Sequence, residues 1–355
     1  MWKRPDGRKG RGTNRPRHVL RRRNAPAGRP DSCWRTSCDA SQRTSTEGYA
    51  AMRIGMVGLG RMGAGITGRL MAGGHEVVAY DLDAKAVDAV MAEGAIGAAS
   101  LDELVERLEP PRSVWIMVPS GAVTEQTLDA VAALLHPGDV LIDGGNSNYQ
   151  DTQRRSMELS ARHLHFVDVG TSGGVWGRAE GYSLMVGGED EVVERLRPLF
   201  ETLAPALDRG WGHVGPAGAG HFVKMVHNGI EYGLMQAYAE GFAIMERKTG
   251  LDLDLAQIAG IWRHGSVVRS WLLDLTETAL MGQGNLESIA PWVADSGEGR
   301  WTVAEAIALD VSAPVITLAL LQRLRSRDES SFGDRLLAAL RQQFGGHAIK
   351  GGAER

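Results

Sequence analysis

The chain has 355 residues and a formal charge of −4, enough length for a large core and for two domains or so. That charge is divided unevenly: residues 1–51 hold 13 Lys and Arg against 4 Asp and Glu, leaving −13 on residues 52–355. An acidic body argues against nucleic acid as its partner, and the absence of 18 consecutive apolar residues argues against a membrane span.

Residues 1–51 are rich in Arg, Pro, Gly and Ser and lack apolar periodicity, a composition that cannot bury enough surface to order itself. An organellar leader and a nucleic-acid-binding arm both fit such a segment. A disordered basic extension is the preferred reading, because Met52 is followed at once by a strand. Both cysteines, Cys33 and Cys38, lie here, and C-x4-C alone is not a metal site. The body from Met52 onward has no cysteine, nothing suggests an oxidising compartment, and a cytoplasmic protein is expected.

From Met52 the pattern is strand, glycine turn, helix, strand. Arg53–Val57 is apolar, Gly58, Gly60 and Gly63 form G-x-G-x-x-G, Met62–Met71 has helical periodicity, and Glu76–Tyr80 is a second strand. This is the context of a dinucleotide-binding turn, with Gly58, Leu59, Gly60, Arg61, Met62 and Gly63 around the phosphates. Asp81 closes the second strand where a carboxylate accepts hydrogen bonds from the adenine ribose and repels a 2′-phosphate. With no Arg close behind it, NAD is expected over NADP. Asp83 suits the cap of the next helix.

Strands at Ser113–Met117, Val140–Asp143, His165–Val169 and Tyr182–Val186 alternate with helices at Thr124–Leu134 and Glu189–Thr202, and Ala206–Val214 is extended. Such alternation predicts a Rossmann-type, doubly wound parallel sheet whose ligands sit beyond the strand C-termini. The loops there carry Val118 and Pro119, then Asn146 after two glycines, then Ser172-Gly173-Gly174, a hydroxyl with unshielded N–H groups. Turns without ligands are the competing reading of both glycine-rich loops.

Residues 217–232, AGAGHFVKMVHNGIEY, are read as a helix with an apolar stripe of Phe222, Val223, Val226 and Ile230. Lys224, His227, Asn228 and Glu231 then share one face at i, i+3, i+4 and i+7. An amine, an imidazole, an amide and a carboxylate over two turns can move protons on a bound polyol and fix its hydroxyls. A merely solvated face would favour Lys, Glu, Arg and Gln. Helices at Leu234–Lys248, Leu255–Arg263, Val267–Leu280 and Val303–Arg325 follow, so the second half is expected to be all helix. The expected division is an extension over 1–51, a dinucleotide-binding domain over 52–216 and a helical domain over 217–355.

The glycine turn, DGGNSNY, TSGGVWGRAEG and GAGHFVKMVHNGIEY together resemble 6-phosphogluconate dehydrogenase, in its short and often NAD-preferring form, over about residues 52–350. The related 3-hydroxyisobutyrate-type dehydrogenases, which do not decarboxylate, usually have Asn where this chain has His227 and lack the Glu231-Tyr232 pair. The resemblance implies oxidative decarboxylation of 6-phosphogluconate to ribulose 5-phosphate in carbohydrate metabolism, without a metal. It makes Lys224 the general base and Glu231 the general acid. Asn146, Ser172, Gly173, Gly174, His227, Asn228 and Tyr232 become substrate contacts, with Asn146 also touching the cofactor. Arg269 resembles the family's phosphate-binding arginine, and Arg341 and His347 its C-terminal residues, which reach a neighbouring subunit. A homodimer or homotetramer with a shared active site is therefore expected. Ser296 stands where the family's long enzymes carry a phosphate-binding lysine, and Arg300 is the nearby cation that could compensate.

Overall fold

The computed structural model describes residues 51–283 and 286–345, so the basic extension up to Ala50, both cysteines and His347 lie outside the described residues. No described helix is long and apolar enough to cross a membrane. The sheet strands are β1 (Arg53–Val57), β2 (Glu76–Tyr80), β3 (Ile96–Gly97), β4 (Ser113–Ile116), β5 (Val140–Asp143), β6 (His165–Ser172), β7 (Ser183–Gly187) and β8 (Trp211–Gly215). Between them run α1 (Arg61–Ala72), α2 (Ala84–Met91), α3 (Leu101–Glu106), α4 (Ala122–Leu134), α5 (Tyr149–Ser160), the short α6 (Gly177–Glu180) and α7 (Asp190–Leu203). The strand order is β3-β2-β1-β4-β5-β6-β7-β8. Its first six strands are parallel in the doubly wound order.

One expectation needs correction: β7 pairs antiparallel with β6, and β8 follows β7 in parallel. The link from Ser172 to Ser183 holds only a 3-10 turn at Gly174–Trp176 and α6. A parallel return needs a crossover of a dozen or more residues, so this shorter link turns the chain back.

Alternation along the strands builds a core on each face. Ile54, Met56, Val77, Trp115, Ile142 and Val167 pack with Ile66 and Leu70 of α1 and Phe200 of α7. Val78, Val114, Ile116, Leu141 and Phe166 face the other way, against Leu104 of α3, Leu128 of α4 and Leu159 of α5. Each such side chain taken from water contributes about 1.5–3 kcal/mol.

The helical part begins with α8 (Ala219–Glu246), a 28-residue helix that runs unbroken through Gly233, where the sequence pattern suggests two helices. Glycine here serves packing: a Cβ at Gly229 would lie 2.6 Å from Thr302, and one at Gly233 would lie 3.3 Å from Val315. Then follow α9 (Leu255–Trp262), α10 (Trp271–Gln283), α11 (Glu298–Ala308), α12 (Pro314–Arg325) and α13 (Phe332–Gly345). The expected helix 303–325 is two helices, because Asp310 adopts φ 54° and Pro314 opens a new helix. Likewise α10 starts after residue 267: the Ser270 hydroxyl accepts from Leu273 N, a capping bond that sets the helix start at Trp271.

Helix α8 is seated on the sheet by glycine and by one acid. A Cβ at Gly170 of β6 would lie 2.4 Å from Lys224 Cβ, and one at Gly220 would lie 2.4 Å from the Met185 carbonyl. The fully buried Asp168 accepts hydrogen bonds from Gly218 N at 2.7 Å and His221 N at 2.8 Å, capping a helix whose own Gly218 offers no side chain. Substituting Asp168→Ala strips two buried donors of their acceptor and is expected to cost about 2–4 kcal/mol in urea unfolding. A loss under about 0.5 kcal/mol would contradict the anchoring role.

Candidate active site

The turn after β1 shows which glycines the protein itself requires. A Cβ at Gly58, where φ is 94°, would lie 2.4 Å from the Met117 carbonyl, and one at Gly63 would lie 1.9 Å from the Gly58 carbonyl. Around Gly60 nothing lies within 4 Å of a built Cβ. Helix α1 starts there with no side-chain cap and no acid in its first turn, leaving exposed N–H groups at the positive end of its dipole. Leu59 is buried, Met62 partly buried and Arg61 exposed. The Asp81 carboxylate accepts from Leu59 N at 2.6 Å and from Asp83 N at 2.8 Å, locking it beside the turn. Asp83 caps α2 through Lys85 N, as its position in the sequence suggests.

Neighbouring strand ends complete this edge. Val118 and Pro119 follow β4, and the Thr124 hydroxyl donates to the Pro119 carbonyl at 2.9 Å, fixing the entry to α4. After β5, buried Asp143 accepts from Gly145 N and from the Ser147 hydroxyl at 2.6 Å, folding the loop so that Asn146 is exposed. Ser172 ends β6, and Gly173 and Gly174 take φ 141° and 51°. Buried Tyr182 fills the space beneath: a Cβ at Gly177 would lie 2.0 Å from its ring.

On α8, Lys224 is only 7% exposed. Burial pushes its amine below the ordinary lysine range, opposed by the carboxylates of Glu231 and Glu298. Nothing among the described residues hydrogen-bonds that amine. His227 Nδ1 lies 3.1 Å from Asn228 Oδ1, and both side chains are half-buried, as is Glu231. Tyr232 is buried, its hydroxyl 3.5 Å from Ser296 Oγ and its ring stacked under Arg323, whose guanidinium carbon is 3.5 Å from the ring centre.

The structure therefore brings Lys224, His227, Asn228, Glu231 and Tyr232 along α8, whose Lys224 packs on Gly170 two residues before Ser172. Arg269 does not join them by direct contact. It is exposed in the loop before α10, outside the helix expected for it, and its side chain makes no ion pair or hydrogen bond among the described residues. Arg341 is exposed on α13. The Arg300 guanidinium is engaged by Asp295 at 2.5 Å, and Arg327 approaches the same carboxylate at 3.7 Å.

Three residues of this region escape sequence reasoning. Asp168 was visible as an acid between valines in a strand. Glu298, 4% exposed, and Thr302 carry no spacing signal, since α11 meets α8 only through tertiary packing. No cluster of three His, Cys, Asp or Glu side chains suited to a metal ion occurs among the described residues.

Two family models cover this architecture: the NAD binding domain of 6-phosphogluconate dehydrogenase over residues 53–212, and the 6-phosphogluconate dehydrogenase C-terminal domain over 220–350. The chain belongs to the 6-phosphogluconate dehydrogenase family. It is 45% identical over 299 residues to an NAD(+)-dependent, decarboxylating 6-phosphogluconate dehydrogenase of Haloferax volcanii, covering 84% of this chain and 98% of that one. It is 44% identical to the Bacillus subtilis protein YqeC, covering 84% of this chain and 99% of that one. Longer relatives are matched in part: an NADP(+)-dependent enzyme of Bacillus subtilis is 35% identical, with 77% of this chain covering 61% of its length. Among solved structures, Plasmodium falciparum 6-phosphogluconate dehydrogenase superposes with TM-score 0.72 at 26% identity, covering 85% of this chain and 67% of that one. A Mycobacterium tuberculosis 3-hydroxyisobutyrate dehydrogenase shares the fold, with TM-score 0.65 at 23% identity, covering 79% and 95%.

NAD is the cofactor that this family membership implies, and the turn fits it: open space at Gly60, an uncapped helix start for the pyrophosphate, and a fixed carboxylate at Asp81 for the ribose. Gly60→Ala is accordingly expected to leave unfolding free energy within about 0.5 kcal/mol while weakening NAD binding about tenfold or more. Gly63→Ala is expected to destabilise the fold by about 2 kcal/mol or more, because its Cβ meets backbone. Equal effects of the two substitutions, measured by thermal unfolding and NAD titration, would contradict this division.

Proposed function

We propose that the protein catalyses NAD-linked oxidative decarboxylation of 6-phosphogluconate to ribulose 5-phosphate and carbon dioxide. The observation that carries this reading is the buried Lys224, its basicity lowered by burial, on one helix face with His227, Asn228 and Glu231 in a chain of this family. When bound, NAD accepts the hydride from C3. Lys224 takes the C3 hydroxyl proton as that hydride departs, and burial favours the neutral amine this requires. Once protonated, it faces the C3 carbonyl and stabilises negative charge as C1 leaves as carbon dioxide, the bonding pair entering an enediol. Glu231 protonates that enediol.

In the same proposal Gly58 to Gly63, Asp81, Val118, Pro119 and Asn146 line the cofactor. Asn146, Ser172, Gly173, Gly174, His227, Asn228 and Tyr232 hold the sugar acid. Support for NAD over NADP comes from Asp81, followed by no arginine, and from the Haloferax volcanii relative. The same proposal divides the chain between residues 216 and 217, just before the left-handed Gly218 that opens α8. Arg269 and Arg341 are assigned to the substrate phosphate, Arg341 and His347 acting across a subunit boundary of a cytoplasmic homo-oligomer. The large apolar side chains left exposed on α8, α12 and α13, among them Ile244 at 72%, Leu318 at 60% and Leu337 at 61%, support such an assembly.

Lys224→Met is expected to lower kcat by about 10²–10⁴ while leaving NAD affinity within a fewfold. For the wild-type enzyme, kcat/KM should fall with decreasing pH as the amine protonates, on a limb below the ordinary lysine range. Retained turnover in the Lys224→Met enzyme would refute the base assignment, and an enzyme whose acid limb sits in the ordinary lysine range would refute the electrostatic account.

A further inference from the structure

Tyr149 opens α5 three residues after Asn146, and none of the roles assigned above falls to it. Its hydroxyl donates to Glu305 Oε2 at 2.8 Å, joining the sheet domain to α11 of the helical part. Its ring stands edge-on to Phe222 of α8, with 5.2 Å between centres at 81°, and its carbonyl would lie 3.2 Å from a Cβ at Gly218. Gln150 Nε2 reaches the same hydroxyl at 3.3 Å. Burial first, and then the Glu305 carboxylate, push the phenol above the ordinary tyrosine range, so it stays a donor near neutral pH. The other side-chain bonds of residues 143–149 close the loop on itself and on α5: Asp143 takes Gly145 N, the Ser147 hydroxyl and Arg155, and Asn148 takes Gln150 N. The loop's glycines meet only sheet-domain atoms, Gly144 at Trp115 and Met117 and Gly145 at Val118. Among the described residues, Tyr149 is therefore the side chain by which this loop is hydrogen-bonded to the helical part.

We propose that Tyr149 is a positioning residue: its bond to Glu305 holds the Asn146 loop in register with the α8 face that carries Lys224. The inference rests on the reading of Asn146 and Lys224 as groups that share one substrate. In that reading the hydride passes from C3 to a nicotinamide held by the sheet domain, while the C3 hydroxyl proton goes to a lysine on α8. Such a step needs the reacting atoms about 3–3.5 Å apart and aligned, so the two sets of groups must keep a fixed separation. The path between them is short. Glu305 lies one helical turn after Thr302, whose hydroxyl donates to the carbonyl of Met225, the residue next to Lys224. A second contact docks α5 on α8 independently: the Thr152 hydroxyl lies 2.8 Å from His221 Nδ1. Removing the phenol hydroxyl alone thus frees the loop while the helices stay docked. Tyr149 exchanges no proton with the substrate and makes or breaks no covalent bond.

Tyr149→Phe keeps the ring on Phe222 and removes the hydroxyl, Glu305→Ala removes the acceptor, and Glu305→Gln keeps one. Each is compared with the wild-type enzyme and with Asn146→Ala, after thermal unfolding and NAD titration. In single turnovers with saturating NAD and 6-phosphogluconate, Tyr149→Phe and Glu305→Ala should form reduced nicotinamide about tenfold or more slowly. Their NAD affinity should stay within about threefold, because Gly58 to Gly63 and Asp81 are untouched. Deuterium at C3 of the substrate should slow these variants at least as much as it slows the wild type. The double variant should be no slower than either single one, and Glu305→Gln should come within about threefold of the wild-type rate. Lost stability alone gives neither the non-additive rates nor the rescue. A folded Tyr149→Phe enzyme at the wild-type rate, losses that multiply in the double variant, or a slowdown in which the C3 isotope effect disappears would each overturn the proposal. A wild-type rate in Asn146→Ala would instead locate the failure in the reading of Asn146 itself.

Discussion

The closeness of one helix to one strand governs the rest of the molecule. Helix α8 can lie on β6 and β7 only because Gly170, Gly187 and Gly220 have no side chains at the contact, and because Asp168 replaces the cap that Gly218 cannot provide. An acid buried without partners would be costly, and so would the unsatisfied N–H groups of a helix start. Each meets the other's requirement. The Asp168 arrangement also reaches α5, since His221, whose backbone N–H binds Asp168, holds its Nδ1 2.8 Å from the Thr152 hydroxyl. Two turns along the same helix stand the groups assigned to chemistry, so the placement of Lys224 beside the C-terminal edge of the sheet follows from that anchor.

Burial of Lys224 sets a second constraint. An amine removed from water is a better base near neutral pH, but its protonated form is then harder to hold. In the proposed reaction both demands fall on the same atom, at successive moments of an oxidation followed by a decarboxylation. Helix α11 is held against α8 by Thr302 on Met225 and by Gly229 and Gly299 against side chains of the opposing helix.

Much of this was legible from the chain alone, for local reasons. The glycine turn, the acid ending β2 and the Lys-x-x-His-Asn-x-x-Glu spacing are written in consecutive residues, and alternation marked the long strands. Short elements such as β3 and α3 carry too few residues for a period to show. The direction of β7 depended on the reach of a ten-residue link, which hydropathy does not encode. Glycines 229 and 233 read as helix-weakening residues until their partners Thr302 and Val315 were in view. Arg269 was drawn into a helix by the apolar run around it, whereas the Ser270 cap leaves it in the preceding loop. The seating of α11 on α8 was the hardest to see, because the bond from Thr302 to Met225 joins helices far apart in the chain.

The central claim is that one active site couples hydride loss at C3 to loss of C1 as carbon dioxide. The most direct measurement follows reduced nicotinamide and carbon dioxide together, with 6-phosphogluconate and separately with gluconate, under NAD and under NADP. Equal amounts of both products from 6-phosphogluconate, formed faster under NAD, are the predicted result. Reduced cofactor without carbon dioxide, or turnover of the unphosphorylated acid alone, would contradict it.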